Sequence, residues 1–183
     1  MRPISPVSPP LNWAVRHGLA VTMAAGAVAR LVQWLQARAC DPFYARSPAH
    51  FDMHTYCAWG QAIASGDWLS ARFTAGGPFF YGPVYSYFLG FLFALFGPRY
   101  DVIHFVQGAV GLLVPLCLWL TARDLFGRPA ALATGLLAAL CAPLLFYEQV
   151  LLMEGLLTTL HAVLLWCVIR TQSPVRHPGL WWL

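Results

Sequence analysis

Groups able to act as a base or to hold a cation are scarce in this sequence: of 183 residues, only seven are Asp or Glu. The most suggestive is Asp52, which lies in HFDMHTYCAW between His50 and His54. If that segment is helical, Asp52 and Tyr56 stand one turn apart on one face, a carboxylate beside a phenol. His50, Asp52 and His54 have the residue types of a metal site. Alternate spacing, however, puts three ligands on one face only in a strand, and the flanks read as a loop turning into a helix. Asp52 could equally be an N-cap, accepting backbone N–H bonds. Glu148 and Glu154 fall at the edge of, or inside, apolar sequence. A carboxylate at membrane depth costs at least ~2.5 kcal/mol, so such a residue lines a polar cavity, pairs, or binds something. Glu148 also fits an exposed interfacial position; Glu154 sits deeper and carries the stronger functional reading.

The other polar groups have plainer roles. Asp41 precedes a proline and Asp67 follows Gly66, so both read as turn residues. Asp101 is placed to cap the helix after it, and Asp124 to pair with Arg123 or Arg128. His104 and His161 lie in apolar stretches and read as core histidines. Of the five cysteines, only Cys40 and Cys57 share a loop and could pair; no CxxC or zinc spacing occurs. Phosphate-loop, dinucleotide-loop, GxSxG and HExxH patterns are all missing.

The elements that must position these groups follow from composition. Apolar residues make up 59% of the chain and charged residues 10%, against roughly 45–50% and ~25% in soluble domains. That argues for an all-α polytopic membrane protein. All eleven basic residues are Arg and the net charge is only +4, so a nucleic-acid footprint is not indicated. Residues 1–13, rich in proline, read as a disordered leader. The membrane module covers 14–169, with about four spans over 14–36, 102–122, 130–147 and 149–169, each near the ~20 residues a crossing needs. Between the first two spans lies a large loop, 38–101, whose Phe51–Ser65 segment suits a short helix on the membrane surface, with Tyr56 and Trp59 as interfacial anchors. Residues 84–96 are apolar but number thirteen, ~20 Å as a helix, short of a crossing. Residues 170–183 read as a cytoplasmic tail or the opening of a further helix.

If 84–96 does not cross, Arg2, Arg16, Arg123, Arg128, Arg170 and Arg176 all fall on one side. The positive-inside rule makes that side cytoplasmic. The loop and the Tyr147–Glu154 corner then face the opposite compartment together.

The order of motifs resembles a known family. DMHTY (52–56), AIASGDW (62–68), FYGPVYSYF (80–88), FALFG (93–97) and RDLFGRPAALATGLLAALCAP (123–143) occur in sequence. They look like the N-terminal part of polyprenyl-phosphate-sugar-dependent glycosyltransferases of the GT-C fold, the type of protein O-mannosyltransferases and the lipid A aminoarabinose transferase. The resemblance implies a partial GT-C bundle that moves a sugar from a polyprenyl-phosphate donor to a lipid or protein acceptor at the outer face of a membrane, the bacterial inner or plasma membrane being the expected setting. It implies Asp52 as the first-loop carboxylate that acts as base or orients the acceptor, with Glu148 and Glu154 near a second acidic motif. Met53 stands where family members often carry a second acid, and Gly82 where they often carry a base.

Such a reaction needs a base, a stabiliser for the departing phosphate, and a water-poor site. Tyr56, Tyr81 and Tyr85 are expected as walls for sugar and prenyl contact, and Arg46, Arg72 and Arg99 as phosphate or lipid-headgroup contacts. No motif names the sugar, the acceptor or a cofactor; a divalent metal is compatible without being required. Family members carry many more spans, so the chain reads as an N-terminal fragment. The competing reading is a non-catalytic polytopic membrane protein, a transporter segment or assembly partner, in which Glu154 and His161, seven residues apart, line a polar path.

Overall fold

A computed structural model describes residues 9–44, 49, 51–74 and 81–172, with side chains throughout except at 9–12, 72 and 74. Its elements are α1 (Pro9–Arg16), α2 (Gly18–Cys40), α3 (Asp52–Ala64), α4 (Ala71–Thr74), α5 (Pro83–Phe96), α6 (Tyr100–Gly111), α7 (Leu113–Phe126), α8 (Arg128–Ala139), α9 (Ala142–Gln149) and α10 (Met153–Gln172). The described residues contain no strand. The protein is an all-α, polytopic membrane protein: α2, the α6–α7 rod of 27 residues and α10 are each long and apolar enough to cross a bilayer. At 1.5 Å per residue they measure ~35, ~40 and ~30 Å. Exposed apolar residues line α2 (Val28, Leu31, Val32, Leu35) and α10 (Leu157, Leu160, Leu164, Val168), a surface suited to lipid.

Prolines and glycines set the joints. Pro143 has no N–H to give the carbonyl one turn back and its ring crowds that turn; the stretch expected as one span over 130–147 is accordingly two helices, α8 and α9, bent by 46°. Pro115 removes the donor that would satisfy the carbonyl of Gly111, and the α6–α7 rod is interrupted at Leu112. Gly97 (φ +69°) ends α5 and Gly127 (φ +86°) separates α7 from α8, both in the left-handed region that favours glycine. The leader expected over 1–13 falls outside the described residues up to position 8, and α1 already begins at Pro9. Residues 173–183 also lie outside.

The rods alternate in direction. At one end, Asp124 of α7 pairs with Arg123 at 2.7 Å and with Arg170 of α10 at 3.8 Å. The start of α2 lies at the same end, Gly18 resting against the Trp119 and Leu132 side chains. Arg16, Arg123, Arg128 and Arg170 therefore gather there.

At the opposite end α3 and α5 form a parallel pair. Asp52 lies beside Tyr81, Tyr56 beside Tyr85, and Gly60 beside Gly90. The crossing depends on the two glycines: a Cβ on Gly60 would stand 2.9 Å from Leu89 Cβ, and one on Gly90 2.7 Å from Ile63 Cγ2. The pair packs on α6 and the α9–α10 corner through a core that includes Met53, Tyr56, Tyr85, Leu89, Ile103 and Leu151. The 65–74 turn folds back over it: Trp59 Nε1 donates to Ser70 Oγ at 2.7 Å, Tyr87 donates to the Trp68 carbonyl at 2.6 Å, and Phe73 stacks on Trp59.

Candidate active site

Asp52 is the first residue of α3, exposed, with Phe51 rather than Asp52 in the N-cap position. The positive end of the helix dipole favours its negative charge. Tyr81, just before α5, donates its hydroxyl to Asp52 Oδ1 at 2.9 Å. That bond raises the Tyr81 phenol above its ordinary value, because a proton shared with a carboxylate is harder to remove.

One turn along α3, Tyr56 is 2% exposed. Its ring meets Tyr81 and Tyr85 edge-on, with centroids 5.5 and 5.2 Å away. The Tyr56 phenol is pushed up first by burial, then by the charge of Glu154, then by that of Asp52. Carboxylates about a hundred residues apart thus act on one hydroxyl. Glu154, in the first turn of α10, is half-buried, and its Oε2 is enclosed without a hydrogen bond.

Tyr85 closes the inner side. Its hydroxyl donates to Gln107 Oε1 at 2.8 Å, and Gln107 Nε2 donates to the carbonyls of Glu148 at 3.0 Å and Val150 at 2.8 Å. One amide on α6 so ties the start of α5, which carries Tyr85 and follows Tyr81, to the α9–α10 corner, which leads to Glu154. Nothing in the sequence distinguishes Gln107 from any other polar residue in an apolar stretch.

The structure therefore brings Asp52, Tyr56, Tyr81, Tyr85 and Glu154 together. It places Glu148 elsewhere. Glu148 is 3% exposed, and its Oε1 receives the Arg30 guanidinium at 2.6 Å. Arg30 also donates to the Gly111 carbonyl at 3.0 Å, the one left open by Pro115, and to the Gly26 carbonyl at 3.3 Å. The carboxylate rests on Gly111, where a Cβ would overlap it. A buried cation in one apolar block and a buried acid in another is the signal that pairs Arg30 with Glu148.

Arg99 is exposed at the far end of α5, ~20 Å along that helix from Tyr81. The side chain of Arg72, on α4, and the residues Arg46 and His50 lie outside the described set. Among the described residues no three His, Cys, Asp or Glu side chains gather. Cys40 and Cys57 are free thiols, one exposed and one buried. Asp101 is not the cap of α6, a position held by Arg99, and instead pairs with Arg38 at 3.4 Å. Buried His104 donates from Nε2 to the Tyr44 carbonyl at 3.0 Å, while exposed His161 bonds the Leu157 carbonyl of its own helix at 2.9 Å.

The fold defines a polytopic all-α membrane protein that carries Asp52 and Tyr81 at the end of the bundle opposite its arginine-rich turn, and the family match below gives its class as the GT-C glycosyltransferase type. Residues 78–183, more than half of the chain, match the family described as dolichyl-phosphate-mannose-protein mannosyltransferase, and the chain belongs to that family. The matched segment contains Tyr81, Tyr85, Gln107, Glu148 and Glu154; Asp52 and Arg30 precede it. No curated protein and no solved structure matches the chain.

Proposed function

We propose that the chain is the membrane module of a glycosyltransferase that moves a sugar, mannose being the first to test, from a polyprenyl phosphate to a lipid or protein hydroxyl. The carrying observation is the grouping of Asp52, hydrogen-bonded by Tyr81, with Glu154 around Tyr56, at the end of the bundle away from Arg123, Asp124 and Arg170. By the positive-inside rule the arginine-rich end is cytoplasmic, so the reaction occurs at the extracytoplasmic face of the bacterial inner or plasma membrane.

In the reaction the acceptor oxygen bonds to the sugar's anomeric carbon as the bond from that carbon to the phosphate oxygen breaks. The phosphate leaves with the electron pair, and Asp52 takes the proton of the acceptor hydroxyl. Tyr81 holds the carboxylate in orientation. Tyr56 and Tyr85 form the buried floor beneath Asp52 and Tyr81, and the charge of Glu154 acts on that floor through the Tyr56 hydroxyl. Arg46, Arg72 and Arg99, the arginines of the external segment, are the candidates for contact with the departing phosphate or with lipid headgroups.

The test uses proteoliposomes containing the protein, supplied with dolichyl- or undecaprenyl-phosphate mannose. Asp52→Asn is expected to lower transfer by about 10²–10⁴-fold, the usual weight of a general base, with thermal unfolding unchanged. Wild-type turnover in Asp52→Asn removes Asp52 from the chemistry.

A further inference from the structure

The last two turns of α2 border a cavity that the proposed reaction does not use. It measures about 280 Å³, opens between α2 and α9, and is lined by Gln33, Gln36, Cys40, Asp41, Phe146 and Gln149 among others. None of the residues lining it belongs to α3, α5 or α10, the elements that carry Asp52, Tyr85 and Glu154.

Its carboxamides make few bonds to the protein, and one of them is buried. A carboxamide within a membrane-spanning helix loses its water and must find other hydrogen bonds. Gln33 and Gln36, one turn apart on α2, make none to the protein among the described residues. Gln149 is 5% exposed and its Oε1 is buried without a partner. Three carboxamides thus border one space, those of Gln33 and Gln36 reachable to donate and to accept and that of Gln149 almost fully enclosed. Phe146, 56% exposed, adds an apolar ring.

Charge and size narrow the ligand. Among the described residues that line it Asp41 alone is charged and no cation accompanies it, which disfavours a phosphate or carboxylate. The lining suits a neutral polyol with an apolar face: hydroxyls for the amides, ring C–H groups for Phe146. The volume is at the low end for ligand pockets, which run from about 300 Å³ upward, so one sugar ring fits and a longer glycan does not. Gln33 lies ~10 Å along α2 from Cys40, its last residue. With the end of α2 at the bilayer surface, the groove lies at the level of the headgroups.

We propose that this groove binds the neutral sugar headgroup of a membrane lipid. It is a second carbohydrate site, sharing no residue with the Asp52 cluster, and it stands or falls independently of the transfer reaction.

Cys40 provides a reporter, since it lines the groove and its thiol is free and exposed. The full chain carrying Cys141→Ala and Cys167→Ser is placed in phosphatidylcholine nanodiscs and the rate of Cys40 alkylation by a maleimide is followed. Octyl glucoside is expected to slow the reaction at least fivefold, and Gln33→Leu with Gln36→Leu to abolish the protection. Methyl glucoside and octanol, at the same concentration, are expected to leave the rate within twofold of the ligand-free value. Equal slowing by octanol overturns the proposal in favour of an alkyl-chain groove. Equal slowing by methyl glucoside overturns the lipid-borne source. No slowing by octyl glucoside, or slowing that instead follows the protein-to-lipid ratio as for a second copy of the chain, overturns the site altogether. Asp52→Asn is expected to keep the protection, which separates this outcome from loss of transfer.

Discussion

Tyr81 occupies one oxygen of Asp52, and the other has no protein partner among the described residues. That is the arrangement a base requires: one lone pair held for orientation, one open to the incoming hydroxyl. Replacing Tyr81 by Phe removes the orienting bond and keeps the base, so transfer is expected to fall by about tenfold, the worth of a hydrogen bond to a charged group. A Tyr81→Phe loss as large as that of Asp52→Asn would assign the phenol a direct role. A second residue-scale outcome concerns Cys57. Burial holds its thiol up to about 12, from an ordinary 9.0. Because the folded value is raised, the associated stability is present in full below pH 9 and is lost as the pH climbs from 9 towards 12. Maleimide labelling at pH 8 is therefore expected to modify Cys40 and spare Cys57, and alkaline unfolding to expose Cys57. Prompt labelling of Cys57 in the folded protein would contradict its burial.

The elements are joined by charges and carbonyls where the helices break. Pro115 opens the Gly111 carbonyl, Arg30 fills it, and Glu148, at the end of the bent α8–α9 pair, neutralises Arg30. Arg30 lies near the middle of the 23-residue α2, ~15 Å or more from either end. Breaking a buried pair by removing one member leaves the other charge unpaired and costs about 3–5 kcal/mol, whereas removing both costs much less. Glu148→Leu is thus expected to lower the midpoint of thermal unfolding in detergent strongly, and Arg30→Met with Glu148→Leu to recover most of the loss. Gly111→Ala is expected to resemble Glu148→Leu, because its methyl takes the place of the carboxylate. Equal midpoints for the single and double variants would mean the charges act independently. Each of these residues is visible in the sequence, but their partnership is not: Arg30 and Glu148 are separated by 118 positions, and only the fold shows that a proline in a third helix supplies the remaining acceptor.

Across the whole molecule, the described charges divide between the two ends, with Arg16, Arg123, Arg128 and Arg170 at one and Asp52 and Glu154 at the other. Leu69 is 86% exposed in the 65–74 turn, and Phe126 is 74% exposed at the arginine-rich turn. Cysteines placed at these positions, in a chain without its own cysteines, are expected to react with an impermeant thiol reagent from opposite sides of the membrane, Leu69→Cys from outside intact cells. Reaction of both from one side would refute the alternating arrangement. The all-α membrane class was readable from composition because apolar blocks of about twenty residues have few other uses. The apolar stretch 84–96 was recognisably too short to cross, yet its real function depends on a helix thirty positions earlier, since Gly60 and Gly90 must meet before either has a purpose. Asp52 stood out because acids are rare here. Gln107, one glutamine among several, did not. The glycine crossing of α3 and α5 also decides what can be transplanted between related proteins. Neither helix holds its register alone, so the smallest portable unit is the continuous cassette 52–96. A chimera that exchanges one helix without the other inherits a mismatched seam, and its base arrives out of alignment with the tyrosine that steers it.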